Sequence, residues 1–579
     1  VVAITAGADA RDDGGGDDDD GGGGEASSPR DDGGGGGEED GGAPGGAGAG
    51  SASAASFSGS GGVGESVADA FARAPGNLTV ALSFLDEEDF YVRYHAVQLL
   101  TAVSAHRPHV VREAVMSSPT GVGRLMDAML EREVIRNETL LLLISLTRGS
   151  EDLRKIVAFE GAFERCFNII REEGAADGGI IVQDCLELCT NLLRGSPSNQ
   201  SFFREADGLV AKLPEFLRAD AGPAPPTASY KQPMPAQKAA NLLCAVELVT
   251  MLVSDGETPG ADAERRRRRG AASDDAVALE TASRDAAAKA ACRVANQAAL
   301  FRAGAMDALL ELCLGANAAA SAPVRAHATR CLGEFVAGAR ENQDALFAAE
   351  TTRAPEARAD GGALVTTTPS DELAAEPALL AALRVALRGP DAVERAAAEA
   401  LFARCLRGNP DLQLVLVSTV VAPAGIAGDL GDVSLGGLLA QALINGGEAA
   451  DDLEVSCRAA AVLRHALEGN AAAKAKMLTV PLELPTDDRA PPETLMPRIV
   501  RYLAALGRGG DGGEGRDRTK TSLSVAPDRA AATAKLQATL LCLLRELPRL
   551  AWCHFPGRFP LVRRVRGTLA ATAIPIRRT

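Results

Sequence analysis

Three times along this chain an apolar helical run gives way to a polar break, the pair Asn-Gln, and then a fresh apolar pair. Asn199-Gln200 precede Phe202-Phe203, Asn296-Gln297 precede Leu300-Phe301, and Asn342-Gln343 precede Leu346-Phe347. Asn409-Pro410 and Asn470-Ala471 are weaker copies. The segment Ile181 to Leu217 carries the pattern in full. Val182, Cys185, Leu186, Cys189, Leu192 and Leu193 share one face at helical spacing. Gly195, Ser196, Pro197 and Ser198 break the run, and Phe202 and Phe203 begin the next stripe. A helical unit of this kind cannot bury its apolar face alone, so its recurrence implies a stack of neighbours. A stack of this sort points to a binding scaffold before it points to an enzyme.

Asn296 and Asn342 lie 46 residues apart, within the roughly 40–47 of armadillo or HEAT units. The other intervals are longer, and each holds a Gly-, Pro- or charge-rich insertion. The asparagine is expected to cap a helix start, accepting from a backbone N–H that lacks an intrahelical partner. Asp86 to Asp89 supply caps and first-turn acids ahead of the Val92, Ala96, Leu99, Leu100 stripe. Strand signal is poor, and the β-branched stretch Val415 to Val421 stands alone. The predicted fold is all-α: an armadillo-like right-handed helical-repeat solenoid with a disordered N-terminal tail and long loop insertions. The tail covers 1–62 and the repeat domain 63–553. Loop insertions are expected at 219–235, 254–285, 350–372 and 507–530, and a basic, irregular segment at 554–579.

The chain's net charge of −17 is uneven, because 1–62 hold thirteen acids against two arginines, a net −11. What remains is ordinary and gives no argument for nucleic acid. The run Arg265 to Arg269 lacks interleaved aromatics and reads as a solvated loop. The eleven cysteines are scattered through apolar runs, as at Cys185, Cys189, Cys331, Cys405, Cys457 and Cys542. They show neither CxxC nor zinc spacing, so core packing in a reducing compartment is expected. The best candidate for a membrane span, Leu412 to Ala427, is broken by Gln413, Ser418, Thr419 and Pro423. His106 and His109 read as surface residues at a helix joint, and His327 and His465 as partly buried. Asp177-Gly178-Gly179 is no phosphate loop, and GxSxG is absent. No catalytic residue, cofactor or metal is expected.

Three blocks then resemble one family. They are SFLDEEDFYVRYHAVQLLTAV, SPTGVGRLMDAMLEREVIRNETLLLLISLTRGSEDLRKIVAFEGAFERCFNIIREEG and DGGIIVQDCLELCTNLLRGSPSNQSFFRE. Together they are similar to the armadillo head of the general vesicular transport factor family, the vesicle-tethering golgins. The likeness is dense from about Asn77 to Glu205 and returns weakly at Cys457 to Leu478. It implies a cytoplasmic protein held peripherally on Golgi membranes and transport vesicles, acting between endoplasmic reticulum and Golgi and within the Golgi. The implied partners are a GTP-loaded Rab-type GTPase, SNARE proteins and other Golgi tethers, with homodimerisation open and no cofactor. Carried over residue by residue, the partner-binding surface would include Asp177, Gly178, Gly179, Asp184, Asn191, Asn199 and Gln200, with Phe202 and Phe203 in the core. Asn191 either pairs with an extended peptide backbone or caps its own helix end. Two features depart from the family: the acidic tail replaces further N-terminal units, and the Arg-rich ending replaces a coiled coil. With Val at position 1, these read as a fragment or an imperfect gene model. The alternatives are a generic armadillo adaptor in nuclear import or signalling, an exchange factor built from helical repeats, and, last, an enzyme.

Overall fold

The computed structural model describes residues 63–131, 133–218, 234–254, 276–315, 320–352, 375–418, 435–444, 450–479 and 538. The tail, the Arg265–Arg269 run, the 507–530 insertion and the 554–579 segment lie outside them. The chain divides into two compact units, 1–149 and 150–579.

The first unit runs α1 (Val63–Ala72), α2 (Pro75–Ser83), a 3-10 turn at Phe84–Asp86, α3 (Phe90–His106), α4 (Pro108–Ser117), α5 (Gly121–Ala128) and α6 (Glu133–Thr147). Asp89 caps α3 as the sequence suggests, its carboxylate accepting from the N–H groups of Tyr91 and Val92. Arg107, at the joint between α3 and α4, binds Glu65 at 2.8 Å and also Asp69, which ties α1 to that joint. The Arg107 guanidinium holds the Asp69 carboxyl below its ordinary range.

In the second unit the helices come in threes. These are α7 (Glu151–Phe159), α8 (Ala162–Glu172) and α9 (Ile180–Leu193); α10 (Pro197–Glu205), α11 (Leu209–Phe216) and α12 (Ala236–Val253); and α13 (Ala276–Arg302), α14 (Ala305–Leu314) and α15 (Ala322–Val336). Next come α16 (Arg340–Ala348), α17 (Ala378–Arg388) and α18 (Ala392–Leu406), then α19 (Pro410–Ser418), α20 (Leu435–Ile444) and α21 (Ala450–Leu467), and last α22 (Ala471–Thr479). The third helix of each triple packs on the next: α9 on α12, α12 on α15, α15 on α18 and α18 on α21. This is the armadillo-like arrangement the period predicts. Phe163, Phe167, Phe203 and Phe216 interlock edge to face across α8, α10 and α11, with centroids 5.1–5.8 Å apart.

Several local expectations fail. The helical run ends at Leu193, as the polar break suggests, but the next helix opens earlier than Asn199: Pro197 and Ser198 already belong to α10, with Ser196 as N-cap and proline in the first turn, where its missing N–H costs nothing. Residues 276–285, expected in a loop, are the start of α13. Part of 350–372 is strand: β1 (Glu350–Thr352) pairs antiparallel with β2 (Ala375–Pro377), closing the base of that insertion. His327 is exposed rather than partly buried. Among the described residues, one helix is long and apolar enough to cross a membrane, α12; residues 419–427 of the stretch Leu412 to Ala427 lie outside them. The buried Asn241 of α12 and that helix's packing between α9 and α15 make it a core helix here.

Candidate partner-binding face

The block from Asp177 to Gln200 is α9 with its two joints. The first joint is built by packing. Asn241 of α12, buried, donates to the carbonyls of Ala176 at 3.1 Å and Gly178 at 2.8 Å. A Cβ on Gly178 would stand 2.6 Å from the Glu173 carbonyl oxygen and from Val182, so only glycine fits. Asp177 reaches Lys238 of α12 at 2.8 Å. Gly178 is therefore an internal contact and not a partner surface, whereas Asp177 and Gly179 face solvent.

At the far joint the structure overturns two expected site residues. Asn199 is buried, and its Nδ2 donates to the carbonyls of Leu192 at 2.8 Å and Arg154 at 3.2 Å. Gln200 donates to Leu193 at 3.1 Å and accepts from Asn296 at 3.0 Å. Both amides are spent on the fold, so neither is a free surface contact. Nor does the asparagine cap its own helix, which Ser196 does. It donates backwards instead, to a helix end whose last carbonyls have no intrahelical partner.

The asparagine's role recurs, while the later glutamines, unlike Gln200, donate forward. Asn296 donates to Leu252 of the preceding third helix at 3.0 Å, and Asn342 to Phe335 at 3.0 Å. Gln297 reaches forward to Glu334 and Ala337 at the end of α15, and Gln343 to Arg404 and Arg407 at the end of α18. Gln413 does the same for His465 and Glu468 at the end of α21. Asn409 and Asn470 alone keep the expected capping role, accepting from the N–H groups of Leu412 and Ala473.

The middle of α9 is different. Asp184, Glu187 and Asn191 fall on one side at i, i+3 and i+7. Asp184 is half-buried, and its carboxyl is pushed up to about 6, first by burial and then by the Glu187 charge. Opposite stands Cys244 of α12. Its thiol is raised by burial and by the charges of Glu247, Glu187 and Asp184, so these carboxylates share one neighbourhood. Arg194 and Glu247 pair at 3.6 Å at the far edge. Asn191 is buried, yet its Nδ2 has no hydrogen-bond partner. It does not cap its own helix: the carbonyls of Leu192 and Leu193 are taken by Asn199 and Gln200, and Arg154 donates to that of Arg194 at 2.6 Å.

The seven expected residues are spread along the length of α9 and its two joints. Asp177 to Gly179 precede α9 and Asn199-Gln200 follow it, and its 14 residues span ~21 Å. What the fold brings together is Asp184 and Glu187 with Cys244 and Glu247. The last two were missed because α12 is distant in sequence and shows only an apolar pattern. On another side, Lys155, Phe159, Ser198 and Phe202 line a groove of about 340 Å³. Phe159 is 79% exposed there. Phe202, expected in the core, lines this groove while Phe203 is buried. Among the described residues no cluster of three or more His, Cys, Asp or Glu is arranged to hold a metal ion.

No family model matches the chain. It is 37% identical over 445 residues to golgin candidate 6 of Arabidopsis thaliana, covering 76% of this chain and 42% of that protein. It is 32% identical over 445 residues to the general vesicular transport factor p115 of Homo sapiens, covering 76% and 39%. The chain thus spans about two fifths of the length of these curated relatives. Among solved structures, the crystal structure of Uso1-1 superposes with a TM-score of 0.57 at 19% identity, over 85% of this chain and 66% of that one, so the two share a fold. By its helical repeats and by the 445 residues it shares with these relatives, the chain belongs to the general vesicular transport factor family.

Proposed function

We propose that this chain is the partner-binding head of a vesicle tether in transport between endoplasmic reticulum and Golgi and within the Golgi. It would act in the cytoplasm, held peripherally on Golgi membrane and transport vesicles through other proteins. In this reading it engages a GTP-loaded Rab-type GTPase and promotes SNARE-dependent fusion as a scaffold, with no chemical step of its own. The observation that carries the reading is the likeness over 445 residues to a golgin and to a general vesicular transport factor. Two features add support. The second unit is built of helical repeats, and α9 carries a buried amide donor, the Asn191 Nδ2, that has no hydrogen-bond partner. Asp177, Gly179, Asp184 and Asn191 are the positions at which to test partner contact.

The test is capture of purified Rab-type GTPases by the immobilised chain, each loaded with GDP or a non-hydrolysable GTP analogue. Selective retention of one GTP-loaded member is the expected result. Equal or absent retention in both nucleotide states, with the chain shown helical by circular dichroism, would overturn the GTPase part of the reading and favour a generic adaptor.

A further inference from the structure

We propose that the start of α3, in the first unit, is a docking surface for an arginine-rich segment of a partner protein. Two of the chain's four tyrosines, Tyr91 and Tyr94, stand there with Phe90. The Phe90 ring meets Tyr91 edge to face at 5.4 Å and stacks on Tyr94 at 6.2 Å, so the three rings form one aromatic ledge. Tyr94 is half-buried, and its hydroxyl accepts from Gln98 at 2.6 Å. Tyr91 is 67% exposed, and among the described residues its hydroxyl makes no hydrogen bond. A ring so placed adds little to the core and leaves a π face open to a ligand.

The segment just before the helix supplies charge. Asp86 pairs with Arg124 at 2.7 Å, and Asp89 caps the helix. Glu87 and Glu88 are both exposed, and among the described residues their carboxylates have neither an ion pair nor a hydrogen bond. The helix start does not require them, because Asp89 already closes it. Arg93 does not neutralise them. Its Nη1 donates to the backbone carbonyls of Glu87 at 2.6 Å and Glu88 at 2.8 Å, and its Nη2 to Glu131 at 3.3 Å. That clamp fixes the backbone of both glutamates to the first turn of α3, beside the ledge.

One ligand chemistry matches both features. A guanidinium is planar, cationic and weakly hydrated, so it lies on an aromatic face and also pairs with a carboxylate. An ammonium is compact and strongly hydrated, and matches the charge better than the rings. An apolar segment matches the rings alone, and an acidic one is repelled. The inference concerns the first unit and does not depend on the GTPase reading.

The test is fluorescence anisotropy on the full chain with labelled alternating Arg–Ser, Lys–Ser and Glu–Ser peptides. The Arg–Ser peptide is expected to bind most tightly, the Lys–Ser peptide more weakly and the Glu–Ser peptide not at all. Y91F keeps the ring and should hold the Arg–Ser affinity within about twofold, whereas Y91L should weaken it about threefold or more. E87Q/E88Q should weaken it about fivefold and flatten its salt dependence. D207N/E215Q, the same charge change at exposed positions of the second unit, should leave it unchanged. Equal affinity for the Arg–Ser and Lys–Ser peptides, equal effects of the two double variants, or full affinity in Y91L would overturn the proposal as general attraction to an acidic chain. Should Y91L lose its helical circular dichroism, E87Q/E88Q against D207N/E215Q decides. GTPase capture unaffected by these variants leaves the vesicle-transport reading standing, and loss of GTPase capture alone leaves this one standing.

Discussion

The polar residues that follow α9 and those along it are treated in opposite ways. Past its end, Asn199 and Gln200 close the carbonyls of Leu192 and Leu193, and Arg154 closes that of Arg194. Along the helix, Asp184 sits half-buried beside Glu187 and Asn191 has an unmet donor. The repeated polar residues are structural because every triple has the same helix end to close. Asp184 and Asn191 do not recur, and the Asn191 Nδ2 has no hydrogen-bond partner, which makes these two the better positions at which to test contact with a partner.

The sharpest break of this contrast is N199D, which keeps size and replaces a donor by a carboxylate facing two carbonyls. A loss of about 3–5 kcal/mol is expected, as for an unpaired buried charge, read by urea unfolding at neutral pH. A loss below that of N199A would place the amide outside the fold's accounts. Next come Q297A and Q343A. Each removes two hydrogen bonds to a third-helix end and should cost about 1–3 kcal/mol. No shift in either midpoint would show that water closes those ends as well.

D184N should act in the opposite direction. The carboxyl sits near 6 rather than 3.8, so the folded state holds its proton more tightly than the unfolded chain. The stabilisation this gives is complete below 3.8 and is lost as pH rises through about 6. At pH 7 the carboxylate is a burden, and D184N should raise stability by ~1 kcal/mol, a shift of this size being discounted for partial exposure. The gain should shrink toward pH 4.5, and a gain independent of pH would refute the cause assigned to it. Smallest is N191L, within about 1 kcal/mol of neutral because an unmet donor gives way to an apolar side chain of similar size. A large loss there would mean that the amide has a structural partner after all.

The helical stack was legible from the Val182–Leu193 stripe and the Asn-Gln punctuation, because apolar period and recurring polar pairs are both local signals. The direction of the asparagine's hydrogen bonds was not. A carbonyl seven residues back and one on α7 are set by packing, and a residue favoured at caps reads the same in either role. The start of α13 was hidden because Ala-rich sequence next to an Arg-rich run lacks an amphipathic signature. In the candidate face, Asp184 and Asn191 were picked out through the family likeness. Glu247 and Cys244 came only from the structure, since nothing in the sequence says which side of α12 turns toward α9. Asn199 and Gln200 were misread for an instructive reason: a polar pair that recurs with the repeat is a mark of the repeat.

The short pairing of Glu350–Thr352 with Ala375–Pro377, sealed by the Ala378 N–H donating to Ala349 at 2.8 Å, holds Thr352 and Ala375 about 5 Å apart. Lengthening a chain between two points already held costs little, each doubling adding about 0.6 kcal/mol of closure entropy. The strand pair therefore ties α16 to α17 whatever the length of chain between Thr352 and Ala375.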